Sequence, residues 1–300
     1  KNYNSKYGTN CLITQPEFIE MVLDELKDCE PKKVIIGDAP IQGCIFEKIA
    51  NPEWIQKIKN KYIFLVEVID FRQTILHREF NDNDIPVSKE NFNRKKEDFL
   101  EFDLGHLSSL EEISDIPGKF RVIMYDHRLL NKAHRKGVHK YLIAKELFDV
   151  DVILNLPKLK THKKAGITGA LKNLVGINGS KNYLPHHRVG SVKIKGDNYP
   201  DLSVLKRMGE YFIDLTNFNI GKKSYKYKKS IGSHFIAFAN KFSITTDMEG
   251  GWYGNDTVWR MTLDLNKIIL YGAQNGTINR KPLRRIYSIT DAIIAGSEEH

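Results

Sequence analysis

Short apolar runs that alternate with amphipathic segments restrict this chain to an α/β fold. Runs rich in β-branched and aromatic residues predict strands at residues 32–40, 62–70, 119–126, 151–156, 235–239 and 285–290. Segments with apolar residues on one helical face predict helices at residues 14–28, 140–148, 165–175, 202–215 and 255–271. Because crossover helices bring successive strands together in parallel, this order predicts a mostly parallel, multi-layer sheet flanked by helices.

The domain organisation follows from what interrupts this alternation. The chain shows no internal repeat and no low-complexity linker, so we expect a single α/β domain over residues 1–300 with insertions. Residues 77–118 are polar, charged and poorly periodic, and we expect them to form a polar insertion with little core of its own. Residues 222–229 (KKSYKYKK) are typical of a solvated basic loop or edge.

Composition places the chain among ordinary globular proteins. Of its 300 residues, 41% are hydrophobic, and no apolar run reaches the roughly 20 residues that a membrane span needs. The three cysteines, Cys11, Cys29 and Cys44, form neither an even disulfide set nor a zinc pattern. Free thiols indicate a reducing compartment, so we expect the protein in the cytoplasm.

The strongest functional signal is the segment 156–196. It holds nine Lys and Arg and no Asp or Glu, so its formal charge is +9. The whole chain has the same formal net charge of +9, so the remainder of the chain is electrically balanced. Such a concentration of positive charge, punctuated by Gly and His, predicts a site for an anionic ligand. Aromatic residues do not alternate with these charges as a nucleic-acid stacking platform requires, so we do not expect nucleic acid as the main partner.

The beginning of this segment carries the first candidate residues. Lys158, Lys160 and His162 alternate after a predicted buried strand, so an extended backbone places all three on one side. There they would clamp a phosphate or carboxylate, although solvated lysines are the alternative interpretation. The helix that opens near Gly166 would offer free N–H groups to the same anion. Its glycines match neither a P-loop nor a dinucleotide fingerprint.

Further candidates follow along the segment and at strand ends. Lys172 and Asn173 interrupt an apolar helix and point either to solvent or into a cleft. Six of the ten histidines lie between His127 and His187, which predicts acid–base roles for His162, His186 and His187. No HExxH pattern or Cys pair supports zinc, and a metal held by His and Asp stays open. The remaining candidates for the polar wall of the site are Lys172, Asn173, Arg188, Asp38 and Asp126.

Asp38 and Asp126 are included because each ends a predicted strand. In open α/β sheets, ligands bind outside the carboxyl ends of the strands. The alternative is that these aspartates cap helices or form turns.

The same residues resemble a known family. The run NLPKLKTHKKAGITGALKNLVGINGSK, followed by LPHHR and GDNYP, is similar to the family called domain of unknown function 362. The upstream TQPE and IIGDAP resemble its N-terminal part, and WYGNDTVWRMTLDLN and YSITDAIIAG resemble the C-terminal part of a subgroup associated with polysaccharide gene clusters.

The resemblance implies a Rossmann-like α/β fold. Some relatives carry a ferredoxin module, but this sequence lacks the necessary cysteine runs, so we expect no iron–sulfur cluster. Family members begin with a strand ending in Lys-Pro-Asn and continue with Gly-Pro after the region matched here. We therefore expect this chain to lack a segment at each end.

Two functions are consistent with these observations. The first is an enzyme that acts on a small anionic substrate, phosphorylated or nucleotide-linked and related to polysaccharide precursors, with the reaction type open. The second is a non-catalytic binder of an anionic polymer, either nucleic acid or acidic polysaccharide. Polymer binding would weaken steeply with salt, whereas a small-ligand pocket would be stabilised by particular phosphorylated compounds.

Overall fold

The computed structural model describes residues 11–80, 86–123, 125–218, 222–242 and 248–297. Within them the fold is mixed α/β. The helices are α1 (Pro16–Leu26), α2 (Phe46–Ile49), α3 (Pro52–Lys61), α4 (His127–Ala133), α5 (Ala170–Asn173), α6 (Val204–Asn217), α7 (Ser224–Phe242) and α8 (Val258–Tyr271). The first seven strands are β1 (Lys33–Asp38), β2 (Leu65–Asp70), β3 (Thr74–Phe80), β4 (Pro86–Phe92), β5 (Phe99–Asp103), β6 (Phe120–Arg121) and β7 (His134–Arg135). The others are β8 (Val138–Ala144), β9 (Val152–Asn155), β10 (Lys158–His162), β11 (Gly166–Thr168), β12 (His187–Arg188), β13 (Arg285–Ser288) and β14 (Asp291–Gly296).

The described strands form several small sheets of mixed direction. β1 pairs with β2, β9 with β13, and β10 with β14 in parallel. The antiparallel pairs are β3–β4, β5–β8, β7–β8, β6–β12 and β10–β11. The α/β class is confirmed, but the mostly parallel sheet is not. Short connections are one reason, since the two residues between β7 and β8 allow only an antiparallel return.

The main core forms around α8. Its inner face, including Met261, Leu265 and Ile268, is fully buried against Tyr141 and Ile143 of β8. Phe102, Leu104 and Leu110 belong to the same core, so the C-terminal part of the expected polar insertion contributes to it. A second cluster packs α1 and α3 on β2 through Leu23, Ile58, Tyr62 and Val66.

Several elements differ from the sequence prediction. Residues 140–148 form β8 and a 3₁₀ turn instead of a helix, because Tyr141, Leu142 and Ile143 are all buried and need cover on both faces. Residues 224–229 of the expected basic loop and the strand expected at 235–239 lie in α7, which packs on α6. The strand expected at 119–126 is reduced to β6, and the helix expected at 165–175 divides into β11, α5 and a 3₁₀ turn.

Other elements match their prediction. The structure confirms α1, β1, β2, β9, α6, α8 and β13 near the expected bounds. In the described part of the chain, every helix is too short or too polar to cross a lipid bilayer.

Candidate functional site

The β10–β11 hairpin positions His162. Along β10 the side chains of Lys158, Lys160 and His162 alternate with the more exposed Thr161, as expected for one face of a strand. His162 lies opposite Gly166, whose φ of +73° suits the tight return of the chain. His162 Nδ1 accepts hydrogen bonds from the N–H groups of Lys164 (3.1 Å) and Ala165 (3.2 Å), so a neutral ring carries its proton on Nε2.

Cations surround the His162 imidazole. Burial, and after it the charges of Lys172, Lys164 and Lys160 in that order, lower its pKa to about 3. The ring is therefore neutral at pH 7, and three lysines from β10, its turn and α5 act on the same point.

His186 meets the same electrostatic field from another part of the chain. Its Nδ1 donates to the Leu184 carbonyl (2.7 Å) when the ring is neutral, which leaves Nε2 without a proton. Burial lowers the pKa of His186 well below its usual range, and Lys172 and Lys164 add to this. Because the same two lysines act on His162 and His186, the hairpin and the segment around His186 converge. We call Lys160, His162, Lys164, Lys172, His186 and His187 the His/Lys cluster.

A glycine turn before α8 closes one side of the His/Lys cluster. Gly250 has φ +71°, and a Cβ there would lie 2.7 Å from the Cβ of His187. A Cβ on the neighbouring Gly251 would lie 3.8 Å from the Cβ of Lys163 in the β10–β11 turn. His187 is buried, and burial followed by the charge of Lys164 lowers its pKa well below its usual range. The turn therefore packs against both parts of the chain that supply the cluster.

Asn255 fixes this turn to the cluster. Its Nδ2 donates to the carbonyls of His186 and Gly250, both at 2.9 Å. Its Oδ1 accepts from the N–H groups of Thr257 (3.1 Å) and Val258 (2.9 Å) at the start of α8. One buried amide thus joins the histidine segment, the glycine turn and a core helix.

Asn173 anchors α5 at the carboxyl end of the β9–β13 pair. Its Nδ2 donates to Asn155 Oδ1 (2.7 Å), and Asn155 Nδ2 donates to the Ala170 carbonyl (2.8 Å) and Ser288 Oγ (3.1 Å). Asn173 therefore points into the protein, while its neighbour Lys172 is half-buried and acts on the histidines. The sequence left the direction of both side chains open.

Asp38 lies at the end of β1, beside the 3₁₀ turn that follows α5. A side chain at Gly176 would collide with the Asp38 carboxylate, and Ala39 N donates to the Gly176 carbonyl at 2.6 Å. Burial raises the pKa of Asp38 to about 6, with Lys181 opposing the rise and Asp70 adding to it. The residue nevertheless keeps contact with solvent, and water weakens this rise.

Lys181 approaches Asp38 from the segment between α5 and His186. It is buried, and its Nζ donates to the Ala39 carbonyl at 2.9 Å. Burial lowers the pKa of Lys181 to about 8, while the negative charge of Asp38 opposes this. Lys181 also acts on His186, so the Asp38–Lys181 pair adjoins the His/Lys cluster.

Of three other predicted site residues, two contact carboxylates and one caps a helix. Lys158 Nζ forms an ion pair with Asp291 Oδ2 at 2.9 Å, and both side chains are buried. Arg188 lies 3.6 Å from Asp197 and 3.6 Å from Asp256. Asp126 accepts from the Arg128 N–H (2.8 Å) and caps α4, which is the alternative role considered for it.

The structure also identifies residues that the sequence interpretation did not select. Lys164 lowers the pKa of all three clustered histidines, and the charge of Lys181 acts on Asp38. Both lie inside the basic segment 156–196, so the excess of positive charge is the signal that could have identified them. Among the described residues, no group of three or more His, Cys, Asp and Glu is placed to hold a metal ion.

These features define an α/β protein in which lysines and neutral histidines cluster beside the carboxyl ends of short parallel strands. The family model described as Domain of unknown function (DUF362) matches residues 113–297. The chain therefore belongs to this family, which confirms the resemblance seen in the sequence.

Two further comparisons add less. A comparison with curated proteins found no match. Among solved structures, the chain is similar to the crystal structure of a Thermotoga maritima protein from a structural genomics consortium, with 12% sequence identity and a TM-score of 0.30. The similarity covers 76% of this chain and 48% of the other, so this chain spans about half of that protein's length.

Proposed function

We propose that the His/Lys cluster binds a small phosphorylated or nucleotide-linked anion and that the protein is an enzyme acting on it. The observation that carries this proposal is the shared action of Lys164 and Lys172 on both His162 and His186. An anion bound beside these imidazoles would be attracted strongly by the lysines, because the dielectric there is low.

The imidazoles are suited to orient such an anion. Because Nδ1 of His162 accepts from two backbone N–H groups, the neutral ring carries its proton on Nε2, which makes Nε2 a hydrogen-bond donor. His186 has the opposite tautomer, with Nε2 as an acceptor for a substrate hydroxyl or a protonated phosphate. The two rings therefore offer complementary hydrogen-bonding groups in one positive environment.

The Asp38–Lys181 pair supplies groups for proton transfer. The pKa of Asp38 is raised and that of Lys181 is lowered, so both move towards neutral pH, where general acid–base catalysis is most effective. We therefore assign Asp38 as a base and Lys181 as an acid for a substrate held by the lysines of the cluster. A polysaccharide precursor would carry both the phosphate and the hydroxyl groups that these roles require.

We also propose that the site follows the Rossmann-like pattern of ligand binding. Asp38 and Asp70 lie opposite each other where β1 and β2 end, and Asn155 lies opposite Ser288 where β9 and β13 end. The carboxyl ends of parallel strands are the usual position of ligands in open α/β sheets. These two parallel pairs support that pattern for the present chain.

A thermal-shift series tests the proposal. We expect a nucleoside diphosphate, a nucleotide sugar or a sugar phosphate to raise the melting temperature, since ligand at about 100 times Kd stabilises by about 2.7 kcal/mol. Lys172→Gln should weaken binding of that ligand by about 10- to 100-fold, which corresponds to the free energy of a hydrogen bond to a charged group. Lys193→Gln removes the same charge from an exposed position in the same basic segment and should leave affinity unchanged.

The contrary results are equally specific. If no phosphorylated compound raises the melting temperature, or if both variants weaken binding equally, the cluster is not the anion site. Tight binding of an acidic polysaccharide or nucleic acid that falls steeply with salt would favour the polymer-binding alternative.

A further inference from the structure

Helices α6 and α7 pack closely along a line of small residues. A Cβ at Gly209 would lie 2.5 Å from Ile236 Cγ1, and one at Gly232 would lie 3.3 Å from the Gly209 carbonyl oxygen. The rings of Phe212 and Phe235 stack with centroids 5.8 Å apart. Because only residues 218–223 connect the helices, they form an antiparallel hairpin.

One side of this hairpin is apolar and exposed. The exposed apolar residue Met208 directly precedes the buried Gly209 of α6, and the exposed Phe238 directly precedes the buried Ala239 of α7. In an antiparallel pair, positions one residue before the contact line lie on the same side of both helices. The exposed strip on that side comprises Val204 (77%), Met208 (40%), Tyr211 (61%), Tyr227 (71%), Phe238 (51%) and Phe242 (75%).

The charge of the hairpin is one-sided as well. Residues 215–246 hold six lysines and no Asp or Glu. The two acidic residues of α6 face the protein body: Glu210 accepts from Gly190 N (2.8 Å), and Asp214 pairs with Arg121 (3.0 Å). The outer surface of the hairpin therefore combines lysines with aromatic and aliphatic side chains.

We propose that the α6–α7 hairpin docks on the surface of an anionic lipid bilayer. An amphipathic helix with lysines beside exposed aromatic residues lies in the membrane interface, with its apolar side chains among the acyl chains and its lysines at the headgroups. Phe238 and Phe242 contact each other with ring centroids 5.0 Å apart, which gives a continuous apolar wedge. A charged polymer would attract the lysines but would leave this wedge in water, so charge and shape together favour a lipid surface.

Vesicle co-sedimentation of the full chain tests this docking. We expect binding to vesicles of phosphatidylcholine with phosphatidylglycerol and little binding to phosphatidylcholine alone. The double substitution Phe238→Ser with Phe242→Ser should abolish binding. Lys223→Gln with Lys241→Gln should weaken it about 25-fold, since both lysines are exposed beside the strip and each lysine near an anionic surface contributes about fivefold.

Matched controls keep the result interpretable. Phe92→Ser and Lys59→Gln change an exposed aromatic residue and an exposed lysine elsewhere, and should leave binding unchanged. Circular dichroism and the melting temperature verify that each variant is folded. Absence of binding to anionic vesicles, or equal binding by the hairpin variants and the controls, would overturn the proposal. Self-association in ultracentrifugation that Phe238→Ser abolishes would instead assign the strip to a second copy of the chain.

Discussion

The His/Lys cluster and the α6–α7 hairpin are both rich in lysine, but their lysines act in different surroundings. In the cluster, Lys164 and Lys172 lie close enough to His162 and His186 to lower their pKa values. On the hairpin, lysines such as Lys229 are exposed. Interactions between charges are strong where water is excluded and weak where water screens them. The comparison teaches that depth, and not the number of lysines, separates a candidate site from a candidate docking surface.

The largest expected difference between the two regions concerns the Lys158–Asp291 pair next to the cluster. Asp291→Asn leaves the buried Lys158 ammonium without its counter-charge, which should lower the free energy of unfolding by about 3–5 kcal/mol. Lys229→Gln on the hairpin should change it by less than about 0.5 kcal/mol. Urea unfolding at pH 7 measures both. Equal, small effects would mean that water reaches the Lys158 pair and that the contrast in depth is absent.

The sequence predicted best the elements that local patterns specify. The helix α1 begins at a Pro-Glu pair and α8 keeps its apolar residues on one face, so both were found close to their bounds. β8 and α7 were misassigned because distant partners decide them. β8 becomes a strand by pairing with β5, and α7 becomes a helix that packs on α6.

The candidate site shows the same limit. The excess of Lys and Arg in residues 156–196 marks the region, but not which cation meets a carboxylate. Lys158 pairs with Asp291, which is 133 residues away in the chain, and no local pattern announces that contact. Lys181 lies near Asp38 because the turn at Gly176 packs on β1. Tertiary contacts therefore sort a uniformly basic segment into ion pairs and a cluster.

Acid should destabilise the folded protein through two of its buried histidines. The pKa values of His134 and His162 are about 3 in the folded protein, lowered first by burial, against about 6.5 when unfolded. Between these values the unfolded chain binds more protons, so stability falls as the pH falls through this window. Each of these two histidines should lower the free energy of unfolding by about 2 kcal/mol between about pH 6.5 and 5.

Substitutions isolate this effect from other titrating groups. Asp38, whose folded pKa of about 6 lies above its usual value, acts in the opposite direction below pH 6. His162→Gln should remove the His162 share of the acid sensitivity and leave the contribution of Asp38. Unfolding free energies measured across this pH range provide the comparison. A profile that His162→Gln does not flatten would show that this imidazole is protonated in the folded protein.

The smallest expected difference concerns how the helices of the two regions begin. The Asn255 side chain accepts from two N–H groups at the start of α8 and donates to the carbonyls of His186 and Gly250, whereas the Ser203 hydroxyl accepts from Lys206 N at the start of α6 (3.1 Å). Asn255→Ala should therefore cost about 2 kcal/mol and Ser203→Ala about 1 kcal/mol. Because Asn255 also holds the glycine turn over His187, only Asn255→Ala should weaken binding of the phosphorylated ligand. Unfolding and ligand titration on the same samples measure both effects, and equal loss of binding in the two variants would show that the turn does not support the cluster.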